Sequence, residues 1–161
     1  MLPDALHLNA AALKRFMTFS HHICQTLLTR LSTSLWPNSP TDRLSEKHRP
    51  TSTSNSSLKI YQGPTIAKAS DFPENKHTDE GTLTLLYSDQ WGTQIQLPWN
   101  KQWAWIEPKA GHAIVNVADA LQALTGGRLH SCLHRVSQVE DGVGERWVVT
   151  YFLRPELGAA L

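Results

Sequence analysis

The chain has 161 residues, of which 40% are hydrophobic and 18% are charged, and its formal net charge is +1. This length fits one domain with a buried core, and the balanced charge excludes the basic stripe typical of broad nucleic-acid binding. The sequence contains no apolar run of about 18 residues, which excludes a transmembrane helix. We therefore expect neither a nucleic-acid partner nor a membrane partner.

The two cysteines, Cys24 and Cys132, form neither a disulfide framework nor a zinc-finger spacing. A reducing, cytoplasmic location is therefore the expectation. Residues 1–16 lack the apolar core of a secretory signal. The basic, acid-poor stretch between Asp4 and Asp42 resembles a mitochondrial transit peptide. We prefer the alternative interpretation, a helix that packs on the domain.

Apolar residues in the first part of the chain recur at spacings of three, four and seven, which predicts an amphipathic helix. Asn9 suits its N-cap and Pro37 its end. Residues 37–57 are rich in Ser, Thr and Pro and indicate a linker, within which the charged residues 46–49 predict a solvated loop. The predicted helix face consists of Leu13, Phe16, Met17, Cys24, Leu27, Leu28, Leu31 and Leu35.

From residue 57 onward, short apolar or alternating runs bounded by Gly, Pro, Asn or Asp predict strands of a sandwich or barrel. Only Asp119–Thr125, followed by Gly126 and Gly127, predicts a short helix. We therefore expect a helix and linker over 1–56 and a mainly β domain over 57–157, with the helix leaning on the sheets. The predicted strands are LKIY, TLTLLYS, TQIQL, WAWIE, HAIVNVA, SCLHRVS and RWVVTYFL.

His77 and Asp79, with His134 far downstream, have the residue types of an iron site. Two imidazoles and one carboxylate occupy one face of an iron octahedron and leave three positions open, and the side chains of residues i and i+2 of a strand point to the same side. The alternatives are a surface turn in which Asp79 caps a backbone amide, and a half-buried His134 whose hydrogen bonds are satisfied within the protein. Arg146 offers a guanidinium suited to the carboxylate of an acidic co-substrate.

His130, Cys132 and His134 alternate, so a regular strand would place all three on one face as a zinc or copper site. We prefer the first cluster, because His130 follows the turn at residues 126–128 and lies at the edge of the predicted strand. No partner is predicted for the other histidines in the helix or linker, His7, His21, His22 and His48. We expect three tryptophans to be core residues, with platforms for an aromatic substrate as the alternative: Trp91, Trp103 and Trp105.

Three stretches of the chain resemble the catalytic domain of iron(II)- and 2-oxoglutarate-dependent oxygenases, in the isopenicillin N synthase-like branch. The resemblance spans residues 57–157 and is most similar to fungal members that tailor secondary metabolites. His-x-Asp, His-Arg-Val and a last strand led by Arg occur in the family's order. The stretches are NKHTDEGTLTLLYSDQWGTQIQ, GHAIVNVADALQALTGGRLHSCLHRV and ERWVVTYFLRPE.

The resemblance implies a double-stranded β-helix, or jelly roll. It implies iron(II) held by His77, Asp79 and His134, and 2-oxoglutarate whose distal carboxylate contacts Arg146. It also implies that dioxygen oxidises a small-molecule substrate, by hydroxylation, desaturation or cyclisation. Two alternatives stay open: a remnant of the fold without turnover, and an iron protein of the same fold that does not use 2-oxoglutarate.

The sequence departs from the family pattern at three places. Val148 stands where the family usually has a serine, two residues after the arginine. Gln62 and Gly63 separate Tyr61 from the proline that it usually precedes. Only residues 1–56 precede the core, whereas full-length relatives carry a substantial segment there. We therefore expect exposed apolar surface and self-association.

Overall fold

A computed structural model of the chain describes residues 8–39, 41–48, 56–64, 75–137 and 145–156. Each predicted strand is present, and so are both predicted helices. Within these ranges, no helix combines the length and apolarity that a membrane span requires. The elements are α1 (Ala10–Leu35), a 3-10 turn (Ser45–His48), β1 (Ser57–Pro64), β2 (Leu83–Tyr87), β3 (Thr93–Gln96), β4 (Trp103–Trp105), β5 (Ile114–Val117), α2 (Asp119–Leu124), β6 (His134–Val136) and β7 (Glu145–Leu153).

The strands form two antiparallel sheets, one in the order β1-β7-β2-β5 and the other in the order β4-β3-β6. An isolated antiparallel bridge between His77 and His134 adds a fourth position to the edge of the smaller sheet. Two four-position antiparallel sheets are the arrangement of a jelly roll. The predicted fold class, a mainly β jelly roll with an N-terminal helix, is confirmed.

Helix α1 covers the outer face of the four-stranded sheet. Its buried residues recur every four positions, which places them on one stripe of the helix. Cys24 and Leu28 are fully buried against Tyr151 and Leu153 of β7. The helix therefore shares a core with the strands, as the packed-helix interpretation predicted. The buried positions of the helix are Ser20, Cys24, Leu28 and Ser32.

The ends of α1 lie where the sequence predicted them, with Asn9 at the N-cap position, although its side chain makes no capping hydrogen bond there. The carbonyl of Asn9 accepts a hydrogen bond from the backbone N–H of Leu13 at 3.0 Å. The helix ends at Leu35, two residues before Pro37. Proline lacks a backbone N–H and disfavours helical conformation in the residue before it, so its position explains why the helix stops there.

The prediction of a solvated loop at residues 46–49 is wrong at His48, whose side chain is 1% exposed. Its Nε2 lies 2.6 Å from Thr82 Oγ1, and its Nδ1 lies 2.8 Å from the Leu44 carbonyl. The 3-10 turn points this imidazole inward, where it joins the linker to the residues that precede β2. His21 also has a partner, because its Nδ1 lies 2.9 Å from the Tyr151 hydroxyl.

The four-stranded sheet has two faces, and the face that α1 does not cover lies against the smaller sheet. Alternate residues of a strand point to opposite faces. Because Tyr151 and Leu153 contact the helix side, Arg146, Val148 and Thr150 lie on the inner face of β7. Arg146 and Thr150 are buried there. The jelly roll thus places a charged guanidinium between its two sheets.

Candidate metal centre

His77, Asp79 and His134 lie together at one end of the two sheets. Asp79 Oδ1 is 3.8 Å from His77 Nε2 and 3.7 Å from His134 Nε2. One potential ligand atom from each residue lies within 4.8 Å of the other two, and no other such group of His, Cys, Asp or Glu occurs among the described residues. Three atoms this close can share one metal ion.

The two histidines reach the same place because their backbones pair. The N–H of His77 donates to the carbonyl of His134 at 3.0 Å, and the N–H of His134 donates back at 2.9 Å. On its other side, His134 pairs with Ile95 of β3. Sheet pairing therefore positions both imidazoles, although they are far apart in sequence.

Each imidazole makes a hydrogen bond that settles its tautomer. His77 Nδ1 lies 2.7 Å from the carbonyl of Asn75, and His134 Nδ1 lies 3.0 Å from the carbonyl of Cys132. A carbonyl only accepts hydrogen bonds, so Nδ1 carries the proton in the neutral ring and Nε2 keeps its lone pair. Metal-ligating histidines use this arrangement, and the lone pairs here face Asp79.

Asp79 is 7% exposed, and its two carboxylate oxygens have different surroundings. Oδ1 faces the two imidazoles, whereas Oδ2 accepts a hydrogen bond from Asn116 Nδ2 at 2.8 Å. The backbone N–H of Asp119 donates to the Asp79 carbonyl at 2.7 Å. One oxygen and two imidazole nitrogens form the 2-His-1-carboxylate set, which suits iron(II).

The loop between Asp79 and β2 is held tightly. A Cβ atom on Gly81 would lie 2.5 Å from the Leu153 carbonyl oxygen, so only glycine fits without movement of the backbone. The N–H of Ala120 donates to the Gly81 carbonyl at 3.0 Å, and the N–H of Thr82 donates to the Leu153 carbonyl at 2.8 Å. These contacts fix the course of the chain immediately after the ligand.

Sequence reasoning missed Asn116 and Asp119, the residues that contact Asp79. A signal was present for Asn116, because it is the polar residue inside the apolar run HAIVNVA. Asp119 begins α2 and also accepts a hydrogen bond from Thr78 Oγ1 at 2.9 Å. Its position in the first helical turn indicated a helix start, but not a contact with the metal cluster.

Arg146, the residue expected to contact the co-substrate, is 8% exposed and lies on the inner face of β7. Its Nη1 donates to the backbone carbonyl of Trp91. Val148 shares this face, two residues further along the strand. The role of Arg146 in co-substrate binding stays a prediction.

The alternative zinc or copper site does not form among these residues. His130 is exposed, and both it and Cys132 precede β6, so they do not continue the strand of His134. Burial raises the pKa of the Cys132 thiol, which disfavours the thiolate form that binds metals. The strand alternation on which this alternative depended is therefore absent.

Trp91, Trp103 and Trp105 do not belong to the buried core, and their role as platforms for an aromatic substrate stays a prediction. Trp103 and Trp105 pair with Gln96 and Gln94, and the register places them on the sheet face opposite His134. Trp105 is 43% exposed, and its ring centroid lies 6.4 Å from that of Trp91, which is 39% exposed.

Comparison with known proteins places these features in a family. Residues 54–155, more than half of the chain, match the model of the 2OG-Fe(II) oxygenase superfamily. This match confirms the resemblance that the sequence motifs indicated. The narrower assignment to the isopenicillin N synthase-like branch stays a prediction.

Two fungal relatives align with almost the whole chain. The 2-oxoglutarate-dependent dioxygenase iboH of Amanita muscaria is 40% identical over 162 residues, which cover 98% of this chain and 78% of the relative. The 2-oxoglutarate-dependent dioxygenase gloE of Glarea lozoyensis is 36% identical over 157 residues. That alignment covers 96% of this chain and 47% of gloE, so the chain spans less than half the length of this relative.

Among solved structures, the fold is similar to full-length Neurospora crassa T7H in complex with alpha-KG, with a TM-score of 0.77 and 18% identity. The alignment covers 91% of this chain and 46% of T7H. JOX2 in complex with 2OG, Fe and JA aligns with a TM-score of 0.74 and 21% identity, over 89% of this chain and 41% of JOX2. These likenesses support the jelly-roll fold.

Proposed function

This chain belongs to the 2OG-Fe(II) oxygenase superfamily, and from that premise we propose that it is an iron(II)- and 2-oxoglutarate-dependent oxygenase acting on a small organic molecule. The observation that carries the proposal is the cluster in which Asp79 Oδ1 faces the Nε2 atoms of His77 and His134. The reaction joins oxidation of the substrate by dioxygen to decarboxylation of 2-oxoglutarate to succinate.

In this proposal, His77, Asp79 and His134 hold iron(II), which supplies the oxygen chemistry when it is bound. Three protein ligands leave three octahedral positions for co-substrate and dioxygen. His77 is the most exposed ligand, with 55% of its side chain accessible, whereas His134 and Asp79 are 12% and 7% exposed. The cluster therefore opens towards solvent on the His77 side.

Arg146 contributes the positive charge that the co-substrate needs. A guanidinium forms paired, charge-assisted hydrogen bonds with a carboxylate, and its burial between the sheets strengthens such a contact. Val148, on the same face, offers only an apolar surface. We therefore assign the distal carboxylate of 2-oxoglutarate to Arg146.

We further propose a substrate from fungal secondary metabolism, on the basis of the sequence resemblance and of the identity to dioxygenases from two fungi. The partners that we propose are a small-molecule substrate and dioxygen, and we expect neither a nucleic-acid partner nor a membrane partner. Cys24 and Cys132 are free thiols, which supports a reducing, cytoplasmic location. The division of the chain into residues 1–56 and 57–157, and self-association, remain part of the proposal.

The proposal is tested by incubating the purified chain with iron(II), ascorbate and 2-oxoglutarate and measuring the succinate formed by uncoupled turnover, in which ascorbate replaces the organic substrate as reductant. We expect succinate that requires both iron and the intact cluster, so Asp79→Ala forms none above the control without iron. A parent chain that binds iron and forms no succinate would be a non-catalytic remnant. Oxygen consumption that requires iron but not 2-oxoglutarate would instead identify an iron protein of the same fold with different chemistry.

A further inference from the structure

Asn116 lies on the inner face of β5, directly across the strand pair from Thr84. Its side-chain amide donates a hydrogen bond to Asp79 Oδ2 at 2.8 Å. The other carboxylate oxygen, Oδ1, lies between His77 Nε2 and His134 Nε2. The two oxygens of one carboxylate thus have separate partners, an amide on one side and the metal cluster on the other.

This separation matters because a carboxylate can bind a metal ion through one oxygen or through both. Binding through both oxygens would occupy a fourth position of an octahedral ion. The proposed reaction needs three positions free of protein ligands. A donor that holds Oδ2 away from the ion keeps Asp79 in the one-oxygen mode.

We propose that Asn116 is a positioning residue that keeps Asp79 a one-oxygen metal ligand and thereby preserves the open positions for co-substrate and dioxygen. This inference rests on the proposed function and extends it to a residue that is not itself a ligand. Outer partners of metal ligands fix the orientation of those ligands and tune their affinity for the metal.

The segment that carries Asn116 also holds the main chain of Asp79. The backbone N–H of Asp119 donates to the Asp79 carbonyl at 2.7 Å, and the Asp119 carboxylate accepts a hydrogen bond from Thr78 Oγ1 at 2.9 Å. With the backbone anchored in this way, rotation of the carboxylate is the remaining freedom of Asp79. The Asn116 amide restricts that rotation.

Thr84 provides a matched control. It is buried on the same face of the same strand pair, and among the described residues its hydroxyl has no hydrogen-bond partner. Thr84→Val keeps the shape of the side chain and removes a hydroxyl that makes no hydrogen bond to Asp79. Asn116→Leu likewise keeps a similar volume but removes the amide donor.

The test is an anaerobic titration of the full chain with cobalt(II) chloride, followed by visible absorption at saturation. Parent and Thr84→Val are expected to bind with equal affinity and to give the same spectrum. Asn116→Leu is expected to bind cobalt about 10–100-fold more weakly, the usual effect of losing an outer partner. Its spectrum at saturation should differ, because the coordination of the ion has changed, which a purely structural role would not produce.

A second readout is the affinity of each cobalt-loaded protein for 2-oxoglutarate, which Asn116→Leu should lower because Asp79 then competes for a coordination position. Asn116→Ala repeats the test if the leucine variant does not fold. Equal cobalt affinity and identical spectra for parent and both Asn116 variants would overturn this inference and leave the proposed function intact. A parent chain that binds no cobalt would overturn both.

Discussion

The backbones of His77 and His134 hydrogen-bond to each other twice, at 3.0 and 2.9 Å, and their rings lie 4.3 Å apart. Each ring also donates its Nδ1–H to a carbonyl two residues earlier in its own segment. Position and tautomer are therefore both set by the fold. The metal-binding geometry is preorganised, which reduces the conformational cost of binding an ion.

The first prediction concerns metal content. We expect one iron per chain, and a collapse of iron affinity in Asp79→Ala, His77→Ala and His134→Ala, because each removes one of three ligands. His130→Ala and Cys132→Ala are matched controls that should retain iron. Metal analysis after anaerobic gel filtration measures the content. If the His77 variant keeps full iron while a control loses it, the assignment of the ligands is wrong.

The second prediction concerns Arg146 and the binding of 2-oxoglutarate. Arg146→Ala should abolish 2-oxoglutarate binding, because it removes the charge that pairs with the distal carboxylate. Arg146→Gln is the companion variant, since its amide can still donate to the Trp91 carbonyl but carries no charge, and it should bind almost as poorly. Unchanged affinity in both variants would refute the role of Arg146.

The third prediction concerns Val148, which lies two residues after Arg146 on the same face of β7. Val148 has no hydroxyl, so this chain should bind 2-oxoglutarate more weakly than relatives with serine there. A hydrogen bond to a charged group is worth about 1.5–3 kcal/mol, and each step of about 1.4 kcal/mol changes affinity tenfold. Val148→Ser should therefore tighten binding about tenfold in calorimetric titrations of metal-loaded protein. Weaker binding by the serine variant would contradict the placement of the co-substrate.

The fourth prediction concerns pH and His48. Burial lowers the pKa of its imidazole from an ordinary value of 6.5; His21 and Lys47 lower it too, whereas the Leu44 carbonyl and Glu156 raise it. Below about pH 6.5 the unfolded chain takes up a proton that the folded chain resists, so stability falls as pH falls. Above that pH, His48 is neutral in both the folded and the unfolded chain, so its contribution to stability does not change with pH.

His48→Phe tests this prediction. At pH 8 the variant should be about 1–3 kcal/mol less stable than the parent, because Thr82 Oγ1 and the Leu44 carbonyl lose a buried partner. Between pH 6.5 and 5 the difference in stability between parent and variant should narrow, because only the parent loses stability when His48 of the unfolded chain takes up a proton. Denaturant melts across this range measure both. A difference that stays constant with pH would show that His48 does not titrate in this way.

The fifth prediction concerns self-association. In the described sheet β1 is an edge strand, and its Ile60 and Tyr61 are 40% and 48% exposed. Exposed apolar edge strands pair with other chains. Ile60→Lys should reduce association in sedimentation experiments, whereas Trp99→Ala, at a site that is 75% exposed but off this edge, should not. A parent chain that sediments as a clean monomer and binds no hydrophobic dye would contradict the prediction.

Much of the fold was predictable because its signals are local. Each strand from β1 to β7 is a short apolar run between turn residues. In α1, the spacing of apolar side chains predicted the buried Cys24 and Leu28, but not the buried Ser20 and Ser32. The ends of both helices follow from Pro37 and from Gly126 and Gly127. The two glycines have φ values of +60° and +77°, the left-handed conformation that commonly ends a helix.

The parts that could not be predicted depend on contacts between distant segments. His48 lies in a stretch whose Ser, Thr and charged residues indicate a loop, and its contact with Thr82, which is distant in sequence, could not be read from that stretch. The residue types suggested His77, Asp79 and His134 as an iron site but left a surface turn and a half-buried histidine open as alternatives, and only the family resemblance favoured the three-ligand set over them. The sequence showed Asn116 as a polar residue in an apolar strand, but it did not show that its amide donates to Asp79.

In the proposed function, 2-oxoglutarate binds to a metal ion held by His77, Asp79 and His134. This binding is measured by anaerobic calorimetric titration of 2-oxoglutarate into the chain, with and without saturating iron(II). We expect a one-to-one binding event that requires iron and is absent in Asp79→Ala. Binding of equal strength without iron, or no binding by the iron-loaded parent, would contradict it.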